Sequence, residues 1–207
     1  MKTTNKLKTL ALLLALAAPA AAIAESTFQT GAGALNASAK VDFQITIPKI
    51  LFLQVGAGAL YANNTTVNLI DFNVPAASVG NGTAIAATVA SGDLGNGAVT
   101  AVVRGNNGTV TLNATATGAL GNGSGDTINF SEIVTTPTAL TTATVLAPPT
   151  LANGASGNVT INPAPAKVVN RDARWTYTYA NSALVAPGTY GGVNVNNGRV
   201  TYTAAMP

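Results

Sequence analysis

Residues 41–55 constrain the fold of this chain more than any other stretch, because they hold its strongest apolar pattern beyond the N-terminal two dozen residues. In 41–47 the apolar residues are Val41, Phe43, Ile45 and Ile47, and polar residues lie between them. This period of two predicts a half-buried β-strand. A proline at position 48 ends it, since proline cannot donate to a central ladder. Residues 50–53 are apolar on both faces, which predicts a strand covered on both sides. We therefore expect the core to assemble on this stretch.

The first 24 residues have the pattern of an export signal. Lys2, Lys6 and Lys8 form a basic start, residues 10–16 are an apolar run, and residues 22–24 read Ala-Ile-Ala, a small-x-small cleavage site. We predict a signal peptide at 1–24, and no membrane span after its cleavage, because the apolar run is short. The expected location is the periplasm, the cell surface or the extracellular space.

Charge and cysteine content narrow the classes of function. Without the three lysines of the predicted signal peptide, the chain has seven basic and seven acidic residues. The net positive charge of the whole chain therefore comes from the signal peptide. A nucleic-acid or anionic-membrane partner would need a clustered basic patch, which the sequence does not contain. The chain has no cysteine, so its stability must come from packing and strand pairing rather than from disulfides.

Short β-like runs separated by turn residues continue from residue 61 to the end. Asn-Gly pairs recur between them, and such pairs favour tight type I′ turns. This pattern predicts an all-β fold, an antiparallel Ig-like or Greek-key β-sandwich with long loops. The predicted strands before the last forty residues are 66–72, 83–90, 98–103, 109–115, 142–146 and 158–161, with one helical turn at 131–133.

The domain organisation follows from where alternation begins. We predict a single β-sandwich domain at 40–207, preceded by a flexible N-terminal arm at 25–39. The alternation within 25–39 is poor, so a flexible arm is favoured over a strand that completes a neighbouring subunit's sheet.

The last forty residues regain regular alternation. In 169–179, Trp175, Tyr177 and Tyr179 share one face of a predicted strand. They either fill the space between two sheets, which we favour, or form a ligand-binding platform on which sugars stack. Residues 193–196 and 199–202 are predicted to pair as a hairpin across Asn-Gly, because this register sets apolar residues opposite apolar ones.

The sequence offers no convincing catalytic set. The absence of histidine and cysteine excludes His-based triads, Cys nucleophiles and the usual zinc sites. The acidic residues are scattered singly, and each is interpreted as a solvated or turn-capping group. Residues 121–126 are interpreted as a flexible turn rather than a calcium loop, because their aspartate is out of register. We predict no enzyme activity, no catalytic residue, no cofactor and no metal.

The C-terminal segment carries a family resemblance. Ala186-Pro187-Gly188-Thr189-Tyr190, followed by an alternating final strand, is similar to the ending of chaperone–usher and spore-coat-U-type pilins of Gram-negative bacteria. Camelysin/TasA-type fibre proteins are a second similar group. The resemblance covers composition, layout and this segment, although the cysteine pair of many such pilins is missing.

The resemblance implies a secreted structural subunit of a surface fibre, pilus or extracellular matrix, assembling by strand addition or edge pairing. It also implies self-association or related β subunits as partners, together with a periplasmic chaperone. The alternative function is a monomeric cell-surface glycan-binding β-sandwich module, with the aromatic row of residues 175, 177 and 179 as its platform.

Overall fold

A computed structural model describes residues 26–207, so the predicted signal peptide and Glu25 lie outside the described residues. The chain divides into two units, the first ending at Ile47 and the second beginning at Pro48. Between residues 26 and 207 there is no helix with the length and apolar content needed to cross a membrane.

The described part of the first unit, residues 26–47, contains no strand or helix, and all of its residues are exposed. Phe43 is 89% exposed and Ile45 is 84% exposed. The prediction that residues 41–47 form a half-buried strand at the centre of the core is therefore wrong for the single chain. The strand pattern is present, but no described residue pairs with it. We call residues 41–47 the alternating segment.

The described residues of the second unit form an all-β structure in which every strand pairing is antiparallel, which confirms the predicted class. The strands are β1 (Leu51–Val55), β2 (Ile85–Ala86), β3 (Ala98–Gly105), β4 (Val110–Ala116), β5 (Leu120–Gly121), β6 (Thr127–Ile128), β7 (Ile133–Thr138), β8 (Val159–Ile161), β9 (Val169–Tyr179) and β10 (Val200–Ala205). Short 3-10 turns lie at Ala76–Ser78, Phe130–Glu132 and Pro165–Lys167, the second of them overlapping the predicted helical turn.

Strand β9 organises the larger sheet. Strand β3 pairs along one edge of β9, and β1 pairs with the far edge of β3. Tyr179 pairs with both Ile85 of β2 and Ile133 of β7, so these two short strands flank β9 on opposite edges. A smaller sheet has the order β10-β4-β8, and β5 pairs with β6 alone.

The core lies between the inner faces of the two larger sheets. Strand β9 buries Ala173, Trp175, Tyr177 and Tyr179, as its alternation predicts. The Trp175 ring lies 5.5 Å from the ring of Tyr202 on β10, and its Nε1 donates to the carbonyl oxygen of Leu146 at 2.7 Å. Residues of β3, β4, β8 and β9 therefore share one hydrophobic cluster.

Asp172 departs from the predicted polar face of β9, because its side chain is buried. Its carboxylate accepts hydrogen bonds from the backbone N–H and hydroxyl groups of Thr141 and Thr142 and lies 3.7 Å from Arg104. Burial raises the pKa of this carboxyl, but the threonine hydrogen bonds outweigh burial and hold the pKa well below its usual range. The interpretation of every acidic residue as solvated or turn-capping is wrong here, since this carboxylate anchors the 141–146 loop to β9.

The predicted C-terminal hairpin fails for a local reason. Asn194 and Asn196, which lie within its first predicted strand, adopt positive φ angles of 58° and 49° that interrupt an extended strand. Strand β10 pairs instead with β4. The Asn107–Gly108 pair, which favours a tight turn, does not close a hairpin either, because it joins β3 of one sheet to β4 of the other.

The remaining strand predictions agree with the structure in part. Strands β3, β4 and β8 lie where they are predicted, whereas 83–90 retains only the two residues of β2. Residues 66–72 and 142–146 form no strand, although Val145 makes a single bridge to Asp172. Strand β1 forms near the predicted site, but it is not covered on both sides, since Leu51 is exposed and the rest are half-buried.

Candidate strand-binding groove

The second unit contains an open apolar groove of about 840 Å³. Its floor includes Val55, Val99, Tyr177 and Tyr179, which come from β1, β3 and β9. These are inner-face side chains of the larger sheet, so the groove opens directly onto the hydrophobic core. We call this feature the groove.

One wall of the groove is residues 67–74, which lie in the region predicted as a strand but pair in no ladder among the described residues. Their backbone is held on one side by the 88–92 turn. The Leu69 carbonyl accepts from Gly92 N–H at 3.3 Å, and the Asp71 carbonyl accepts from Thr88 N–H at 2.8 Å. This wall is therefore anchored without being part of a sheet.

A second wall of the groove is β10, which contributes Val200 and Tyr202, together with the preceding Arg199. Strand β10 ends the three-stranded sheet, so within 26–207 one edge of its backbone has no partner strand. It carries no proline and no charged residue. An edge with these features is open to pairing with another strand.

The Ala186–Tyr190 stretch lines one side of the groove. The Tyr190 hydroxyl donates to the Ala186 carbonyl at 2.8 Å, which closes this stretch into a compact loop. The residues that carry the resemblance to pilins therefore border the groove rather than lead into a hairpin.

A pair of tyrosines links the two sheets beside the groove. The hydroxyls of Tyr177 and Tyr202 are 2.8 Å apart. Burial raises the pKa of Tyr202 to about 12, although its hydrogen bond with Tyr177 lowers it slightly. Burial also raises the pKa of Tyr177, and the neighbouring Tyr202 adds to the effect. Both hydroxyls therefore stay neutral at physiological pH and act as a structural contact between the sheets.

The aromatic residues proposed as a sugar platform are part of the core. Trp175 is 0% exposed and does not line the groove, while Tyr177 and Tyr179 are buried in its floor. A stacking platform needs an exposed ring face, which none of the three offers. The ligand-binding prediction for Trp175, Tyr177 and Tyr179 is therefore corrected to core packing.

The unpaired edge of β7 is less suited to strand addition, because its sequence contains a proline. Strand β7 ends the larger sheet on its side, and it contains Pro137. Proline lacks an N–H, and at an exposed edge it discourages the addition of a further strand. Strand addition at β10 is therefore better supported than at β7.

Acidic side chains do not cluster into a metal site in the described part of the chain. No group of three or more His, Cys, Asp or Glu side chains in 26–207 lies close enough to hold a metal ion. In the 121–126 loop, the Asn122 side chain accepts from the N–H groups of Ser124 and Asp126 and donates to the Asp126 carboxylate at 2.8 Å. This loop is thus closed by its own side chains, as a turn between β5 and β6.

The groove was not anticipated from the sequence, because its two walls come from residues more than a hundred positions apart. The sequence feature that could have indicated a groove is the alternating segment, because its apolar face needs a partner surface. Comparison of the chain with protein-family models, with curated proteins and with solved structures finds no match.

Proposed function

We propose that this protein is a secreted structural subunit of a surface fibre, pilus or extracellular matrix. In this proposal the alternating segment of one subunit enters the groove of the next and adds a strand beside β10. The observation that carries it is the coexistence of an exposed alternating apolar segment with an open apolar groove bordered by an unpaired strand edge.

The shape of the alternating segment suits the groove. A strand points alternate side chains to opposite faces, so Val41, Phe43, Ile45 and Ile47 enter the groove together. The polar residues between them then face solvent. Apolar surface of this extent on a single exposed segment indicates an interaction site.

Backbone pairing decides whether such binding is strong. Burying each apolar side chain contributes about 1.5–3 kcal/mol. Ordering each of the segment's residues costs about 1–2 kcal/mol, so the two effects nearly cancel over the segment. Net affinity then depends on ladder hydrogen bonds, which the free edge of β10 can supply along one edge of the added strand.

The proposal extends to the detailed fold of the second unit. We take the second unit as an Ig-like β-sandwich in which the groove occupies the place of one further strand. Export through the predicted signal peptide is part of this account, because a fibre subunit must leave the cytoplasm. Partners are then further copies of this chain or related β subunits, with a periplasmic chaperone before assembly.

Two nested deletions test the proposal. Removing 26–39 keeps the alternating segment and is expected to leave polymers visible by negative-stain electron microscopy of the purified exported protein. Removing 26–47 is expected to give a folded monomer that forms none. Circular dichroism checks that both proteins fold. Polymers that persist after the longer deletion would refute the role of the alternating segment.

A further inference from the structure

The charged residues at the groove are few, and neither of them is in an ion pair within 26–207. Among the described residues, the charged side chains that line the groove are Asp71 and Arg199. Arg199 is half-buried, yet the ion pair found in 26–207 joins Arg104 to Asp172 instead. A half-buried guanidinium without a carboxylate is a binding element for an incoming anion.

The alternating segment carries one charge, on Asp42, which lies on the polar face between Val41 and Phe43. Asp42 is exposed, and it makes no ion pair in the described part of the chain. The groove therefore offers one half-buried cation without an ion pair, besides the exposed Asp71, and the segment offers one anion without an ion pair.

Resting on the function proposed above, we propose that Asp42 of one subunit pairs with Arg199 of the next and thereby sets the added strand parallel to β10. In this register each segment residue lies beside the residue 157 positions later in the numbering. The resulting apolar pairs are Phe43 with Val200, Ile45 with Tyr202, and Ile47 with Ala204. These three β10 residues pack against the core, so Phe43, Ile45 and Ile47 lie on the core-facing side, while Val41 lies beside Gly198.

Apolar matching alone does not choose the direction. An antiparallel register that pairs Ile47 with Val200 and Ile45 with Tyr202 buries the same face. That register places Asp42 beside Ala205 and leaves Arg199 beside Pro48. Arg199 then has no carboxylate beside it, and Asp42 has no cation beside it. Because only the parallel register pairs the two charges, the charge pattern favours that register.

Disulfide trapping tests the direction, and the chain suits this method because it contains no cysteine. The same four positions serve both registers. Gln44→Cys with Thr201→Cys, and Thr46→Cys with Thr203→Cys, match the parallel register. Thr46→Cys with Thr201→Cys, and Gln44→Cys with Thr203→Cys, match the antiparallel one. All four side chains are exposed in the free subunit, so the matched sets differ only in how the cysteines are combined.

We expect polymers of the parallel pairs to give a ladder of disulfide-linked oligomers on non-reducing denaturing gels, at about ten times the yield of the antiparallel pairs. The reverse ratio would overturn the parallel register while leaving the proposed function intact. If disulfides form only within monomers, the strand in the groove does not come from a second copy of the chain, and the inference is overturned. Absence of polymers from the cysteine-free parent would overturn the proposed function itself, and this inference with it.

Charge exchange tests the Asp42–Arg199 pair separately. Arg199→Glu and Asp42→Arg are each expected to reduce the polymer yield about tenfold, and the double variant to restore most of it. Arg174→Glu, on the outer face of β9, is the control and is expected to polymerise normally. Failure of the double variant to recover, with both single variants folded, would show that these residues are not partners.

Discussion

Replacing Ile45 by aspartate is expected to abolish assembly while the free energy of unfolding of the monomer stays unchanged. In the free chain Ile45 is 84% exposed, so a carboxylate there meets only water. In the groove the same carboxylate would lie beside apolar side chains without a partner, at a cost of several kcal/mol. A loss of about 4 kcal/mol corresponds to an affinity about a thousandfold lower.

Thr46→Asp is the matched control, because it adds the same charge one position along, on the face that points to solvent. Its effect on assembly is expected to be less than about tenfold. Sedimentation velocity measures the polymer fraction of each variant, and chemical denaturation measures the stability of each monomer. Equal loss of assembly in both variants would mean that the added charge matters and the apolar face does not.

Stability is expected to fall steeply between pH 10 and 12 because of the tyrosine pair that joins the sheets. In the unfolded chain a tyrosine loses its proton near its ordinary pKa of 10.0, whereas folded Tyr202 keeps it to about pH 12. The folded state therefore binds more protons in this interval. The stabilisation is fully present below pH 10 and is lost as the pH rises through the folded pKa. At about 1.4 kcal/mol per pH unit, Tyr202 alone accounts for a loss of about 3 kcal/mol.

Tyr202→Phe separates this effect from other alkaline titrations. The variant loses one hydrogen bond, which costs about 1 kcal/mol near neutral pH, and its stability is expected to decline less between pH 10 and 12. Tyr61→Phe is the control, since Tyr61 is 64% exposed and lies away from the core. Unfolding by urea across this pH range gives the two slopes, and an unchanged slope in Tyr202→Phe would exclude the pair as the origin of the decline.

Local patterns predict those parts of the fold that depend on one strand and its neighbours. The strict alternation of 169–179 identifies β9 and its buried aromatic face. The turn at Asn96–Gly97 adopts the two positive φ angles, 52° and 72°, that a type I′ turn requires, and it bridges Gly95 to Ala98. In both cases the determining contacts are close in sequence or repeated along one face.

Other features depend on contacts that alternation cannot specify. Asp172 occupies a polar position in the pattern, yet it is buried because Thr141 and Thr142 supply hydrogen bonds from a distant loop. The C-terminal hairpin has a matching apolar register, but β4 offers β10 a longer ladder.

The alternating segment is the clearest example of this limit. Its pattern correctly describes a strand-forming surface, but it does not say whether the partner lies in the same chain. The groove could not be predicted for the same reason, since its walls are 67–74 and β10.

Amide hydrogen exchange of 41–47, measured in polymers and in dissociated monomers, tests strand addition most directly. If 41–47 is the added strand, these amides exchange rapidly in the monomer and are strongly protected in the polymer, together with new protection of 200–205. If the amides of 41–47 exchange as fast in the polymer as in the monomer, subunits are joined by some other surface and the alternating segment is not the added strand.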